Sequence, residues 1–308
     1  MLAGLPNAPR WSLKFYWMQT QNERNIIGID IGGTTTRIGL FPALDAPDFT
    51  LLAKFPTCQI YEQQLQAISA ALEHSTVDGL AGIGISIGGR LAKDGQRVIV
   101  APNLPAYVAK PFARDVAQLL AVSGAVVRLA HDTVCGLLAE KKFGAIQHVD
   151  RCAYLTVSTG TGAAIQLSRA FITLTSSIEI GHQILDGNTR RCLCGQVGCL
   201  ETYTGGRQIE LRYGRSSAEI TDSAFWETFC DKLALGLVNL AMLTRVDVIA
   251  ISGAIALNSP SLISQVQQNV EQRLVGAELE VRKAVLGENA PLVGAALLLE
   301  TPEETLLH

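Results

Sequence analysis

N-I-I-G-I-D-I-G-G-T-T-T-R-I-G-L-F, residues 25–41, sets two β-rich segments on either side of a Gly-Gly-Thr turn. The segments at 25–32 and 36–41 are apolar and rich in β-branched residues, and L-L-A-K-F-P-T at 51–57 supplies a third. Short connections make these an antiparallel three-strand meander. The first turn carries chemistry as well as shape. Gly32 and Gly33, with Thr34 beside them, leave backbone N–H groups open to close approach by a phosphate. Asp30 is placed to hold Mg²⁺ through water. Glycine pairs are also common in plain hairpin turns, so this turn gains meaning only from its company.

Outward from the meander, residues 62–74 place Leu65, Ile68 and Leu72 at helical spacing. L-A-G-I-G-I-S-I-G-G at 80–89 is a continuous apolar run, the mark of a buried strand. A helix over 110–124 stopped by Gly124, a strand over 125–132 and a helix over 134–144 complete a βββαβα order. The second half repeats it: three strands within 152–174, a helix over 224–244, a strand over 246–255, a helix over 260–274, a strand over 278–287 and a last helix over 290–300. The expected fold class is α/β, a duplicated actin-like ATPase (ribonuclease H-like) fold with two α/β domains around a cleft. The expected divisions are a tail at 1–24, a small domain at 25–130 with a C-terminal helix at 290–303 packing back on it, and a large domain at 131–289 carrying a Cys-rich loop.

Composition narrows the function. The 308 residues are 48% hydrophobic and 17% charged, ample for two cores. A formal net charge of −3 gives no electrostatic case for nucleic acid or membrane partners. No apolar run approaches the roughly 18 residues of a membrane span. Pro6, Pro9, Arg10 and Lys14 interrupt the N-terminal stretch as no signal peptide allows, so a cytoplasmic protein is expected, with Met18 as a second candidate start.

S-T-G-T-G at 158–162 is a second turn of the first kind, at the equivalent place in the second half. Two such turns facing across a cleft would clamp a nucleotide's phosphates, through Thr159, Gly160, Thr161 and Gly162. Asp132 follows a buried strand and precedes a helix. A carboxylate there points into the cleft of an α/β sheet, although capping the helix is a competing role for the same side chain.

His182, Cys192, Cys194 and Cys199 fall in E-I-G-H-Q-I-L-D-G-N-T-R-R-C-L-C-G-Q-V-G-C-L-E, residues 179–201. One imidazole and three thiols form a complete Cys₃His set for a tetrahedral structural Zn²⁺. Gly195 and Gly198 suit the tight loop such a site needs. Glu179 and Glu201 flank the cluster, and a bound metal would fix where both point, as acceptors for a polyhydroxyl ligand. Cys58, Cys135, Cys152 and Cys230 have apolar or helical neighbours and read as free thiols in the interior. His74, His148 and His308 read as surface residues. The run Phe225, Phe229, Leu233, Leu237, Leu240 suits either a core or a dimer face.

Together these motifs resemble the ROK family of repressors and sugar kinases, over about 26–298. The C-L-C-G-Q-V-G-C-L-E signature at 192–201 with E-I-G-H at 179–182 carries most of the likeness. D-I-G-G-T at 30–34, S-T-G-T-G at 158–162 and A-P-N-L-P at 101–105 add to it. The resemblance implies ATP-dependent phosphorylation of a hexose at its 6-hydroxyl, with Mg²⁺ and a structural Zn²⁺. Glucose is the first expectation, with fructose, N-acetylmannosamine, N-acetylglucosamine and allose behind it. It implies Asp132 as general base, and Asn103, His131, Glu179, His182 and Glu201 as sugar contacts. It also implies a homodimer. Four departures stand out: His131 where the family usually has Asn, Ile87-Gly88 for its Pro-Gly, Thr175-Ser176-Ser177 for a Gly-rich stretch, and Ser252-Gly253-Ala254 for three glycines on the nucleotide side. The alternatives are a sugar-binding or regulatory protein of the family with weak or no catalysis, and a repressor. The repressor is disfavoured, because the residues before Asp30 carry no helix-turn-helix pattern.

Overall fold

The computed structural model describes residues 25–73, 79–120, 126–169 and 172–307. The tail at 1–24, Gly124, His74 and His308 lie outside the described residues. The first sheet is built from β1 (Ile26–Ile31), β2 (Thr35–Phe41), β3 (Thr50–Pro56), β4 (Gly82–Ile87) and a later strand, Val126–His131. Between β3 and β4 lies α1 (Tyr61–Glu73). After β4 come a small hairpin, β5 (Arg90–Leu91) with β6 (Val98–Val100), then α2 (Phe112–Leu119), β7 (Val126–His131) and α3 (Asp132–Phe143). The sheet order is β3-β2-β1-β4-β7, antiparallel among the first three strands and parallel from β1 to β4 to β7.

The second sheet holds β8 (Arg151–Val157), β9 (Thr161–Arg169) and β10 (Ile172–Ile178). Then follow α4 (Glu201–Thr204), α5 (Gly206–Tyr213), α6 (Ser223–Thr244), β11 (Val248–Ser252), α7 (Ala254–Leu257), α8 (Leu262–Glu271), β12 (Glu280–Lys283), α9 (Ala290–Leu297) and β13 (Leu306–Leu307). Its order is β12-β11-β8-β9-β10-β13. Without β13 this is the topology of the first sheet, so the duplication expected from the sequence is present.

The alternation of Ile and Gly explains how β1 and β4 are covered on both faces. Ile27, Ile29, Ile83 and Ile85 pack into one apolar cluster with Ile68 of α1 and Phe112 and Val116 of α2. The glycines face α9, and a Cβ at Gly84 would lie 1.7 Å from the carbonyl oxygen of Ala295. On its other side α9 meets α3 as closely, because a Cβ at Gly294 would lie 1.7 Å from the carbonyl oxygen of Cys135. Thus α9 is wedged between the first sheet and the helix that starts at Asp132. Glu140 of α3 is fully buried, and its carboxylate accepts the amide hydrogens of Ala145, Val285 and Leu286 at 2.7, 3.1 and 2.7 Å.

Several boundaries differ from expectation. The strand expected over 125–132 ends at His131, and Asp132 opens α3. The helix expected over 110–124 ends at Leu119. The strand expected over 246–255 stops at Ser252, because Gly253 turns at φ 93° into α7. The strand expected over 278–287 stops at Lys283, and a 3₁₀ turn at Gly287–Asn289 leads into α9. The third strand of the second half runs to Ile178, past the expected 174. The β5–β6 hairpin, α4, α5 and β13 were not expected. Phe229, Leu233, Leu237 and Leu240 of α6 lie in the core of the second sheet's half, while Met242 and Leu243 at its end are exposed. Cys135, Cys152 and Cys230 are buried free thiols, Cys58 is half-buried, and His148 is exposed. Among the described residues, no helix is long and apolar enough to cross a membrane.

Candidate active site and metal cluster

His131, not Asp132, is the cap of α3. Its backbone is extended, and its Nδ1 accepts the amide hydrogen of Thr133 at 3.2 Å. That removes the capping role from Asp132, which stands in the first turn with its carboxylate free for other work. Asp132 Oδ1 lies 2.8 Å from His131 Nδ1 and is otherwise buried without a hydrogen-bond partner among the described residues. Oδ2 faces the turn after β4, where a Cβ at Gly88 would lie 3.6 Å away. Thr133 Oγ1 lies 2.7 Å from His131 Nδ1 and donates to the carbonyl of Ala163 at 3.1 Å, tying the start of α3 to β9. Burial pulls the His131 pKa down. The charge and hydrogen bond of Asp132, helped by Glu179, outweigh burial and leave it above the ordinary histidine value.

Strand register explains the setting of Asp30. It sits opposite Arg37 on β2 and Ser86 on β4. Arg37 donates to Asp30 Oδ2 from Nη2 at 2.7 Å and from Nε at 3.3 Å, and Ser86 Oγ donates to Oδ1 at 2.9 Å. Arg37 also donates to the Glu288 carbonyl and to Asn289 Oδ1, which anchors the turn before α9. Burial raises the Asp30 pKa despite Arg37 and Ser86, and the charge of Asp132 adds to the rise. Both oxygens of Asp30 already have partners. That suits a hydrated Mg²⁺ reached through water and not an ion bound directly.

The two glycine turns differ in what is free. The Gly32 amide donates to the Thr35 carbonyl at 3.0 Å, so it closes the turn and is not open to a phosphate. In the second turn, the Thr161 amide donates to Glu201 Oε2 at 2.9 Å, and the hydroxyls of Thr161 and Thr204 meet at 2.7 Å. Gly160 lies against Glu201, and Gly162 lies against the methyl of Thr133. The amides of Gly206 and Arg207 bind the carbonyls of Ser158 and Thr159 at 2.8 and 3.0 Å. Glu201 is therefore bound to the turn through Oε2.

Asn103 lies beside Gly33, where an added Cβ would sit 3.1 Å from the Asn103 Cβ. Arg207 Nη1 donates to Asn103 Oδ1 at 3.1 Å, so the two halves touch at this point of the cleft. Glu179 is exposed, within electrostatic reach of His131.

His182, Cys192, Cys194 and Cys199 converge, with ligand atoms all within 4.8 Å of one another. Cys194 Sγ and Cys199 Sγ are 3.7 Å apart, and Cys192 Sγ and His182 Nδ1 are 3.9 Å apart. A tetrahedron of Zn–S bonds of about 2.3 Å has S–S edges of about 3.8 Å, so the set fits that ion. Gly195 and Gly198 turn at φ 97° and 95°, which a residue with a Cβ rarely adopts. Gln208 Nε2 donates to Cys192 Sγ and Gln196 Nε2 to Cys199 Sγ, each at 3.3 Å. Burial pushes the Cys192 thiol up to about 12, while hydrogen bonds from Gln196 and its fellow cysteines leave Cys194 below the ordinary value despite its own burial.

Arg37, Ser86, Thr133 and Arg207 were missed in the sequence. Only register would have found the first two, since Asp30, Arg37 and Ser86 align across three strands.

The profile of the ROK family matches residues 26–301. The chain belongs to the ROK family. It is 28% identical over 304 residues to the N-acetyl-D-glucosamine kinase of Salmonella newport (strain SL254), covering 88% of this chain and 98% of that one. It superposes on a ROK hexokinase from Thermus thermophilus at a TM-score of 0.71 and 26% identity, covering 89% and 97% of the two chains. A ROK glucokinase from Streptomyces griseus, solved with glucose and AMPPNP, gives 0.73 at 24% identity over 89% and 98%. By this kinship the protein is a sugar kinase, a phosphotransferase with an alcohol as acceptor, on the actin-like fold.

Proposed function

We propose that this ROK protein transfers the γ-phosphoryl group of ATP to the 6-hydroxyl of a hexose, with Asp132 as general base. One observation carries the reading. The Asp132 carboxylate is released from capping, faces Gly88 with Oδ2, and lies within electrostatic reach of Asp30. A base so held takes the proton of a substrate hydroxyl, while most of the rate comes from positioning and charge neutralisation. Gly33, Thr34, Thr159 and Gly160 would face the phosphates, and Gly253 the nucleotide. Mg²⁺, when bound, neutralises phosphate charge, and Asp30 would orient its hydration shell. Asn103, Glu179, the free oxygen of Glu201 and the free Nε2 of His182 would hold sugar hydroxyls. The Cys₃His set would hold a structural Zn²⁺ that shapes this loop. Glucose and the N-acetylhexosamines are the leading acceptors, since relatives named for both are similar over nearly their whole length. A cytoplasmic homodimer is part of the same proposal, and mass-resolved gel filtration tests the dimer.

The test is an ADP-release assay with Mg-ATP against hexoses and N-acetylhexosamines. Turnover of one sugar, lost in Asp132→Asn, supports the reading. Equal turnover in both proteins removes Asp132 as the base. A second reading, a sugar-binding protein without turnover, draws on the occupation of Asp30 by Arg37. Sugar binding by calorimetry with no ADP release would select it.

A further inference from the structure

We propose that His131 is a positioning residue for the base: protonated, it engages Asp132 and restrains it, and neutral, it turns to the helix and releases Asp132 to the substrate hydroxyl. This rests on Asp132 being the base, as proposed above.

The geometry is a competition for one atom. His131 Nδ1 lies 3.2 Å from the Thr133 amide nitrogen, 2.7 Å from Thr133 Oγ1 and 2.8 Å from Asp132 Oδ1. A ring nitrogen carries either a lone pair or a hydrogen. With a lone pair, Nδ1 accepts the Thr133 amide and caps α3, and it has nothing to offer a carboxylate. With a hydrogen, as in the imidazolium, it cannot accept that amide and can pair with Asp132 Oδ1 at 2.8 Å, an oxygen with no hydrogen-bond partner elsewhere among the described residues. Thr133 Oγ1 tolerates both states, because it can accept from Nδ1 while donating to the Ala163 carbonyl. A charge-assisted bond to Oδ1 draws electron density from the carboxylate and weakens it as a base.

The charges bearing on His131 are Asp132 on its own segment and Glu179 after β10. Asp30 on β1 bears on Asp132. β4, whose Ile87 pairs with His131, carries no charge. Both acids favour the imidazolium, burial opposes it, and the acids prevail. The restrained form therefore persists to a higher pH than an ordinary histidine allows. Asn, which the family pattern carries here, caps a helix without titrating.

The test pairs a kinetic and a spectroscopic readout. Turnover against pH is measured for wild type, His131→Asn and His131→Gln with an accepted sugar. ¹⁵N-histidine NMR follows the His131 ring in wild type and Asp132→Asn. Wild-type kcat should fall on the acid side with a midpoint above about 6.5, the ordinary histidine value. In the variants the fall should move into the carboxylate range, so that each keeps a several-fold larger share of its own plateau at acid pH. The His131 NMR midpoint should drop in Asp132→Asn. An acid limb unchanged in both variants overturns the proposal, as does an NMR midpoint unmoved by Asp132→Asn. If no sugar is turned over, the functional reading fails separately, and the NMR result still decides the His131–Asp132 coupling.

Discussion

Glu201 Oε2 accepts the amide hydrogen of Thr161 at 2.9 Å, and Glu201 stands two residues after Cys199. The Cys₃His cluster and the second glycine turn are thus joined through one short helix, α4. Thr202 and Asn188 bind the Cys199 carbonyl at 2.8 and 3.0 Å, so the loop is rigid where it enters that helix. A loop that loses its cross-link loses the means of holding Glu201 against the turn.

Removal of the metal should therefore reach the chemistry without touching it. Stripping with a chelator is expected to lower kcat, and adding Zn²⁺ to restore it, because the cross-link that holds the Glu201 loop is lost and remade. Metal analysis should give one Zn²⁺ per chain in the active preparation. Full activity in a metal-free protein would sever the link argued from Glu201.

Arg207 holds Asn103 across the cleft at 3.1 Å, and its own amide binds the Thr159 carbonyl. Arg207→Ala should raise the KM for the sugar several-fold by freeing Asn103. Its effect on stability should be within about 0.5 kcal/mol, because the bond is exposed. Initial rates against sugar concentration, with a thermal melt, separate the two effects.

Glu140 presents the opposite case, far from the substrate and deep in the core. Glu140→Ala leaves three part-buried amides without that acceptor, those of Ala145, Val285 and Leu286. An unsatisfied buried group costs about 1–3 kcal/mol, and part-buried amides can turn to water, so a loss of about 1–3 kcal/mol in all is expected from denaturant midpoints. Glu140→Gln, which keeps one acceptor oxygen, should lose less.

The fold was legible where a pattern had one physical cause. Ile27, Ile29 and Ile31, like Ile83, Ile85 and Ile87, recur at every second position because that face packs on side chains, while Gly28 and Gly84 on the other face meet the backbone of α9. The Cys₃His spacing was legible because the glycines that bend the loop are part of the same string. What stayed hidden depended on contacts distant in the chain. Arg37 meets Asp30 through strand register, and α9 meets Cys135 from far along the sequence. The cap of α3 was ambiguous because His131 and Asp132 both suit it, and only the extended backbone of His131 decides between them. Gly32 was read as a phosphate donor, but its amide is consumed within its own turn.

That decision about the cap makes the last prediction sharp. Had Asp132 capped α3, Asp132→Asn would have been nearly silent in turnover, since Asn caps as well as Asp. With His131 as the cap, Asp132 is free for proton transfer, and loss of a general base costs about 10²–10⁴ in rate. The melt should scarcely move, because the bond from the Thr133 amide to His131 survives the change. A large fall in kcat at unchanged Tm is the expected result. A small fall in kcat with a lower Tm would return Asp132 to a structural role and give the chemistry to another residue.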